Sequence, residues 1–108
     1  MDGVVVVATF RVHPGKGEEA VAAFAPTIEQ THAEEGCLAY ALHRDVNDPD
    51  VLVLVERWTD REALGSHLQQ SYVSQLGEAA SEFLAEPPTI HFAEPVPIGD
   101  DRKGSLSG

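Results

Sequence analysis

Glu56, Trp58 and His67 are the residues of this 108-residue chain whose types and spacing can do chemistry. An unperturbed imidazole titrates near neutral pH, which suits His67 to take and return a proton. Glu56 shares strand parity with Leu52, Leu54 and Trp58, so its carboxylate sits among apolar neighbours. A carboxylate there must be paired or hold its proton above the usual range. Arg44, Arg11 or a histidine can pair with it; the sharper role is to orient His67. Trp58 reads as a core anchor between sheet and helix, or as the wall of a pocket. Tyr40 shares its parity with Leu42 and Arg44 and packs at the core edge, where its hydroxyl reaches a partner or a ligand. Cys37 reads as a small buried hydrophobe with no adjacent base. His13, His43 and His91 are scattered on strands. Without a His-x-His or Cys-x-x-Cys spacing, no metal centre is expected.

The elements that position these residues follow from periodicity and punctuation. Residues 3–13 form a first strand, and Pro14-Gly15-Lys16-Gly17 a turn. Residues 18–34 have helical spacing, with Val21, Phe24, Ile28 and Thr31 (or Ala25 and His32) on one side. Pro26 inside this stretch predicts a kink or local break. Gly36 stands where a helix ends in a left-handed residue. Residues 37–45 and 51–58 form a hairpin around Val46-Asn47-Asp48-Pro49-Asp50. Thr59-Asp60-Arg61-Glu62 opens a short helix over about 60–69 with a capping pattern. Ser71 caps a longer helix to about 85, with Leu76, Ala80, Phe83 and Leu84 inward. Pro87-Pro88 stops it, and Thr89–Glu94 is a fourth strand. The order β-α-β-β-α-β predicts an α+β fold, the ferredoxin-like plait, over residues 3–94. Residues 95–108 have no periodicity and read as a flexible tail.

Val4-Val5-Val6-Val7-Ala8 and Val51-Leu52-Val53-Leu54-Val55 are apolar on both faces, as buried strands are. The two helical stretches cover one face of the sheet. The simplest cover for the other is the same face of a second copy, giving a homodimeric α+β barrel. The formal net charge of −11 repels phosphate backbones and anionic membranes, so neither nucleic acid nor membrane is an expected partner. No apolar run approaches the ~20 residues of a membrane span. The valines follow no basic segment, so the start does not read as a signal peptide. A lone cysteine fits a reducing cytoplasm.

Thr31-His32-Ala33-Glu34-Glu35-Gly36-Cys37-Leu38-Ala39-Tyr40, then Glu56-Arg57-Trp58, then Ala63-Leu64 and His67-Leu68, together resemble the antibiotic biosynthesis monooxygenase family. The resemblance covers about residues 3–94. It implies the dimeric plait, and an enzyme that oxidises polycyclic phenols or quinols with molecular oxygen and without metal or organic cofactor. It implies His67 as the base, with Glu56 and Tyr72 beside it in the catalytic group. It places Trp58, Tyr40, Phe10 and His32 at the substrate. Tyr72 stands where many relatives carry a histidine, and can donate a hydrogen bond to a phenolic oxygen. Relatives commonly carry arginine at the place of His32. A haem-degrading branch has asparagine, tryptophan and an axial histidine where this chain has Phe10, His67 and Gly77, which disfavours haem degradation here.

Three functions remain open at this point: a cofactor-independent monooxygenase acting on a small aromatic, quinol or anthrone-like compound; an isomerase-type processor of a small carbonyl compound; and a non-catalytic dimeric module that binds a hydrophobic ligand.

Overall fold

The structure is a computed structural model that describes residues 3–106. Its elements are β1 (Val4–Arg11), α1 (Gly17–His32), β2 (Cys37–Arg44), β3 (Val51–Trp58), α2 (Arg61–Leu68), α3 (Ser71–Ala80) and β4 (Thr89–Ala93). The strands form one antiparallel sheet in the order β2-β3-β1-β4. This is the ferredoxin-like α+β plait, with its second helical segment in two pieces.

Register explains the burial. Residues paired across antiparallel strands share a face, so Tyr40, Glu56, Val6 and Phe92 form one row across the sheet. Leu42, Leu54, Ala8 and Ile90 form the next. On this face Val4, Val6, Ala8, Leu52, Leu54 and Trp58 are buried, with Phe24 of α1 and Phe83 against them. The alternate residues Val5, Val7, Val51, Val53 and Val55 are only half-buried. Both apolar runs therefore send every second side chain under the helices and the rest to a face that no helix covers.

The local differences from the sequence reading have physical causes. Helix α1 runs without a break through Pro26. Pro26 and Ala22, whose carbonyl loses its helical donor, are both exposed, so water can serve that carbonyl. Buried Phe24 and Thr27 hold the turn on the other side. The inward stripe is Ala20, Phe24, Thr27 and Thr31; Val21 and Ile28 pack at its flank, and Ala25 is exposed.

Gly36 is not left-handed; positive φ occurs at Gly15 and Gly99. Its reason is closeness: a Cβ there would overlap the Cβ of Ala63 on α2 and stand 3.1 Å from Thr59 Oγ1. Of the hydroxyl and the carboxylate in the capping pattern, the carboxylate caps α2 as expected, Asp60 Oδ1 accepting from the Ala63 amide at 2.8 Å. Gln70 precedes α3, and Ser71 is its first residue rather than its cap. α3 ends at Ala80; the amides of residues 81–84 still turn back on the carbonyls of Glu78, Ala79 and Ala80, and the chain then bonds to the end of β1. His13 N donates to Phe83 O at 2.9 Å and Ala85 N to Arg11 O at 2.8 Å. That route carries the Phe83 ring to 6.3 Å from Phe24.

Residues 94–106 form no helix or strand. A turn on Asp100, whose carbonyl accepts from Gly104 N at 2.7 Å, brings Ser105 and Leu106 beside Val5, Leu38 and Arg57. The end of the tail, 107–108, lies outside the described residues.

Gly36→Ala should lower stability by about 1–3 kcal/mol, as overpacking does in a filled core. Adding Ala63→Gly should return part of that loss, since the two positions touch. Urea unfolding midpoints of the two single variants and the double variant check this; additive losses would contradict the contact.

Candidate active site

Helix α2 carries His67. Its inward face is Leu64 and His67, three residues apart and both buried. His67 is 2% exposed, with its ring 4.6 Å from Trp58 and 5.3 Å, edge-on, from Tyr40. Its Nδ1 lies 2.8 Å from Oε2 of Glu34. Glu34 follows the end of α1 and is fixed by its own backbone, its N–H donating to Thr31 O at 3.0 Å and its carbonyl accepting from Cys37 N at 3.1 Å. The Tyr72 hydroxyl, in the first turn of α3, donates to the same Oε2. An ionised carboxylate only accepts, so the shared proton belongs on Nδ1 and the lone pair on Nε2. A histidine oriented in this way by a carboxylate is ready to act as a base.

Glu56 is the second titratable group. It is buried on β3, and its Oε1 accepts from Trp58 Nε1 at 3.0 Å. Burial pushes its carboxyl up from the ordinary carboxylate range. The Trp58 hydrogen bond and nearby His67 pull the other way, and the charge of Glu34 adds to the rise. Burial also raises the Tyr40 phenol, with Glu56 and Glu34 nearby. The Tyr72 phenol is pushed up to about 12, by loss of water and by its bond to Glu34.

Between the sheet and the helices lies a cavity of about 160 Å³. Val6, Ala8, Leu54 and Glu56 form its floor; Leu64, His67, Leu76, Gly77 and Ala80 form its roof. One end is polar, with Glu56, His67 and Tyr40; the remaining walls are apolar. This is the form of a small-molecule site, in which a few polar groups orient a ligand within an apolar shell.

Of the residues singled out from the sequence, His67, Glu56, Tyr40 and Phe10 line this cavity. Trp58 stands behind them, stacked on His67 and bonded to Glu56. Tyr72 meets the group through Glu34. His32 lies elsewhere: its Nε2 bonds the Tyr40 carbonyl at 2.9 Å, and its ring faces a separate groove with Ile28, Leu42 and Arg44. The partner of Glu56 is Trp58 and not an arginine, since Arg44 pairs with Glu18 at 3.4 Å and Arg11 with Asp48 at 3.1 Å.

Glu34, not Glu56, orients His67. Sequence reasoning did not single it out because it stands 33 residues from His67, on a different element. Its one signal is position, a carboxylate just past a helix end and two residues before the glycine that admits α2. Cys37 is half-buried, its thiol pushed up by burial and by Glu34. Among the described residues no three His, Cys, Asp or Glu side chains stand together as a metal site would need.

The family model for antibiotic biosynthesis monooxygenase matches residues 3–85. The chain belongs to the antibiotic biosynthesis monooxygenase family. A Synechocystis protein, sll1783, uncharacterised by its own name, is 33% identical over 89 residues; the match takes in 82% of this chain but 60% of that longer protein. The Bacillus subtilis protein named "Putative monooxygenase YcnE" is 27% identical over 78% of this chain and 88% of its own length. The structure of Rv0793 from Mycobacterium tuberculosis superposes with a TM-score of 0.82 at 28% identity, covering 91% of this chain and 99% of that one. Family membership and the name given to YcnE support a monooxygenase-type function.

Glu56 gives the site a pH signature. Its folded pKa lies above the unfolded value, so the folded state holds the extra proton between the two. The stability it contributes is complete below the ordinary carboxylate value and is lost as pH rises through the raised one. Glu56→Gln keeps an oxygen for Trp58 Nε1 and removes that equilibrium. Relative to the parent, the variant should gain stability as pH rises from about 4 to about 8. Urea unfolding at several pH values tests this; a difference that does not vary with pH would contradict it.

Proposed function

We propose that this chain oxidises an electron-rich phenol or quinol with molecular oxygen, without a metal or organic cofactor, and that His67 is the base. The observation that carries the reading is a buried histidine at the polar end of an apolar cavity, with its Nδ1 committed to Glu34. Nε2 takes the phenolic proton, and Glu34 stabilises the imidazolium that forms. The phenolate gives one electron to oxygen. The resulting radical pair joins at a ring carbon as a peroxide, which loses water. For a hydroquinone the balance is quinol plus O2 to hydroxyquinone plus water. One oxygen atom enters the product and the other leaves as water, so the substrate supplies every electron. The apolar walls shield the phenolate and the peroxide from bulk water. Glu56 faces the same space and, when protonated, donates a hydrogen bond to the substrate oxygen.

A base beside a buried carboxyl also suits proton shuttling, so isomerisation of a small carbonyl compound is the second reading. Oxygen uptake separates the two, because isomerisation consumes none.

Two copies are proposed to pack through the uncovered sheet face. Its support is the row of half-buried Val5, Val7, Val53 and Val55, larger and more apolar than a solvated face needs. The setting proposed is the cytoplasm, where the lone Cys37 stays reduced.

His67→Ala should slow quinol-dependent oxygen uptake by roughly 10²–10⁴-fold, the usual contribution of a general base. Glu34→Gln should cost less than that, and Tyr72→Phe least, because the tyrosine acts through Glu34. The assay is an oxygen electrode with a panel of hydroquinones after exhaustive chelation. Loss of activity on chelation contradicts the cofactor-free reading, and a His67→Ala variant as fast as the parent contradicts the base.

Sedimentation should give twice the chain mass. Val53→Asp places a charge on the uncovered face, and should shift the protein towards monomer while the helix-covered core stays folded. A parent that sediments as a monomer would end the dimer proposal.

A further inference from the structure

The cavity is small and its mouth is not polar. A closed apolar cavity of about 150 Å³ holds one benzene ring, and this one measures about 160 Å³. A fused tricyclic ring does not fit within it. At the mouth, Leu68, Ile90 and Phe92 are 49%, 46% and 59% exposed. Three large apolar side chains on one opening need a reason beyond chance exposure.

From that mouth a groove continues along the outside of α2. Leu64, Leu68 and Phe92 line both the cavity and the groove, so the two are continuous. The groove passes Val4, Gly65 and Ala93 and ends at Arg61 and Glu94, whose charged groups lie 3.6 Å apart. Two helix-interior glycines face this path: Gly77 in the cavity and Gly65 in the groove. Neither has a positive φ, and a Cβ on either would meet nothing within 4 Å. Each weakens its helix by about 1 kcal/mol relative to alanine. No turn or close backbone contact requires them; the space they leave along the path is what they provide.

We infer that the ligand is a single-ring phenol or quinol bearing an unbranched apolar tail, with the ring in the cavity and the tail in the groove between α2 and β4. The hydroxyl lies at the polar end with His67 and Glu56. A tail para to it leaves through the mouth over Leu68 and Phe92. The inference rests on the cavity being the substrate site, as proposed above. It adds the size of the ring and the path of its substituent.

The test is binding, and it needs no turnover. Phenol and the 4-alkylphenols from methyl to hexyl are titrated into the intact protein by calorimetry, with a fused tricyclic phenol as the contrast. Each methylene laid in the groove should tighten binding by about fourfold, the value of one buried CH₂. The tricyclic phenol should bind more weakly than hexylphenol. Gly65→Phe fills the groove and should flatten the dependence on tail length. Gly77→Val fills the cavity and should weaken every member of the series. The parent series is decisive even if a variant fails to fold.

Affinity independent of tail length would overturn the tail assignment. A tricyclic phenol bound as tightly as hexylphenol would overturn the ring size. A Gly65→Phe protein that changes its sedimentation, and not its tail dependence, would make the groove an interface between copies. The titrations are run without oxygen, so the result is independent of oxidation. A steep series with no quinol-dependent oxygen uptake leaves this inference standing and removes the monooxygenase reading. A flat series with oxygen uptake does the reverse.

Discussion

The site depends on how closely α2 lies against the junction of α1 and β2. Gly36 is the contact that allows it, since any side chain there would displace Ala63. Asp60 caps α2 at that same point, and its bond goes to the amide of Ala63. With α2 held so near, His67 one turn further on reaches Glu34 just before the glycine. If the helix moved outward by the width of a methyl group, the Nδ1–carboxylate bond would open. The ring would also lose its stacking on Trp58. The orientation of His67 is thus set by a packing constraint made four residues away.

Burying an imidazole, two carboxyls and a phenol near one another is costly unless each polar atom is partnered. Among the described residues no buried side-chain nitrogen or oxygen lacks a partner. The two carboxyls divide the work by their surroundings. Glu34, at the rim, accepts two bonds, from His67 and Tyr72. Glu56, on the floor, accepts one bond from an indole and is pushed towards its neutral form. Two carboxyls with opposed environments flanking one imidazole give an acid and a base in the same pocket.

Most of the plait was legible in the sequence because it rests on signals of short range. The unbroken apolar runs of β1 and β3, the Asn-Asp-Pro turn between β2 and β3, and the Asp60 cap each act within a few residues. Strand parity put Glu56 and Trp58 on one face with Leu52 and Leu54; with both faces of the run apolar, only the packing of the helices shows that this is the covered one. The departures lie where tertiary contacts override local preference. Pro26 predicts a kink or a break, and α1 runs through it unbroken because burial on its far side holds the turn. Gly36 reads locally as a helix stop, but its cause is a neighbour 27 positions along the chain. α3 gives way after Ala80 to tight turns, and the chain beyond them pairs with the end of β1. Glu34 was invisible as a site residue for the same reason: its role exists only once α1 and α2 are packed. His32, adjacent to it in the motif, turns to the backbone of Tyr40 and the outer groove.

The cavity itself is an argument about function. A closed, dry void of about 160 Å³ would cost roughly 4 kcal/mol at the usual rate per unit volume, and the open mouth lowers that figure. The void persists because Ala8 stands between Leu54 and Ile90 in its sheet row, and because Gly77 faces it from α3. A larger side chain at Ala8 would fill part of the void, and alanine at Gly77 would strengthen α3. A chain of this size has only a few kcal/mol of net stability. Small residues kept at two facing positions, beneath an oriented histidine, are therefore best understood as room for a ligand. The same fold with leucine at Ala8 and alanine at Gly77 would be a better-packed plait with the base still in place and nothing for it to act on.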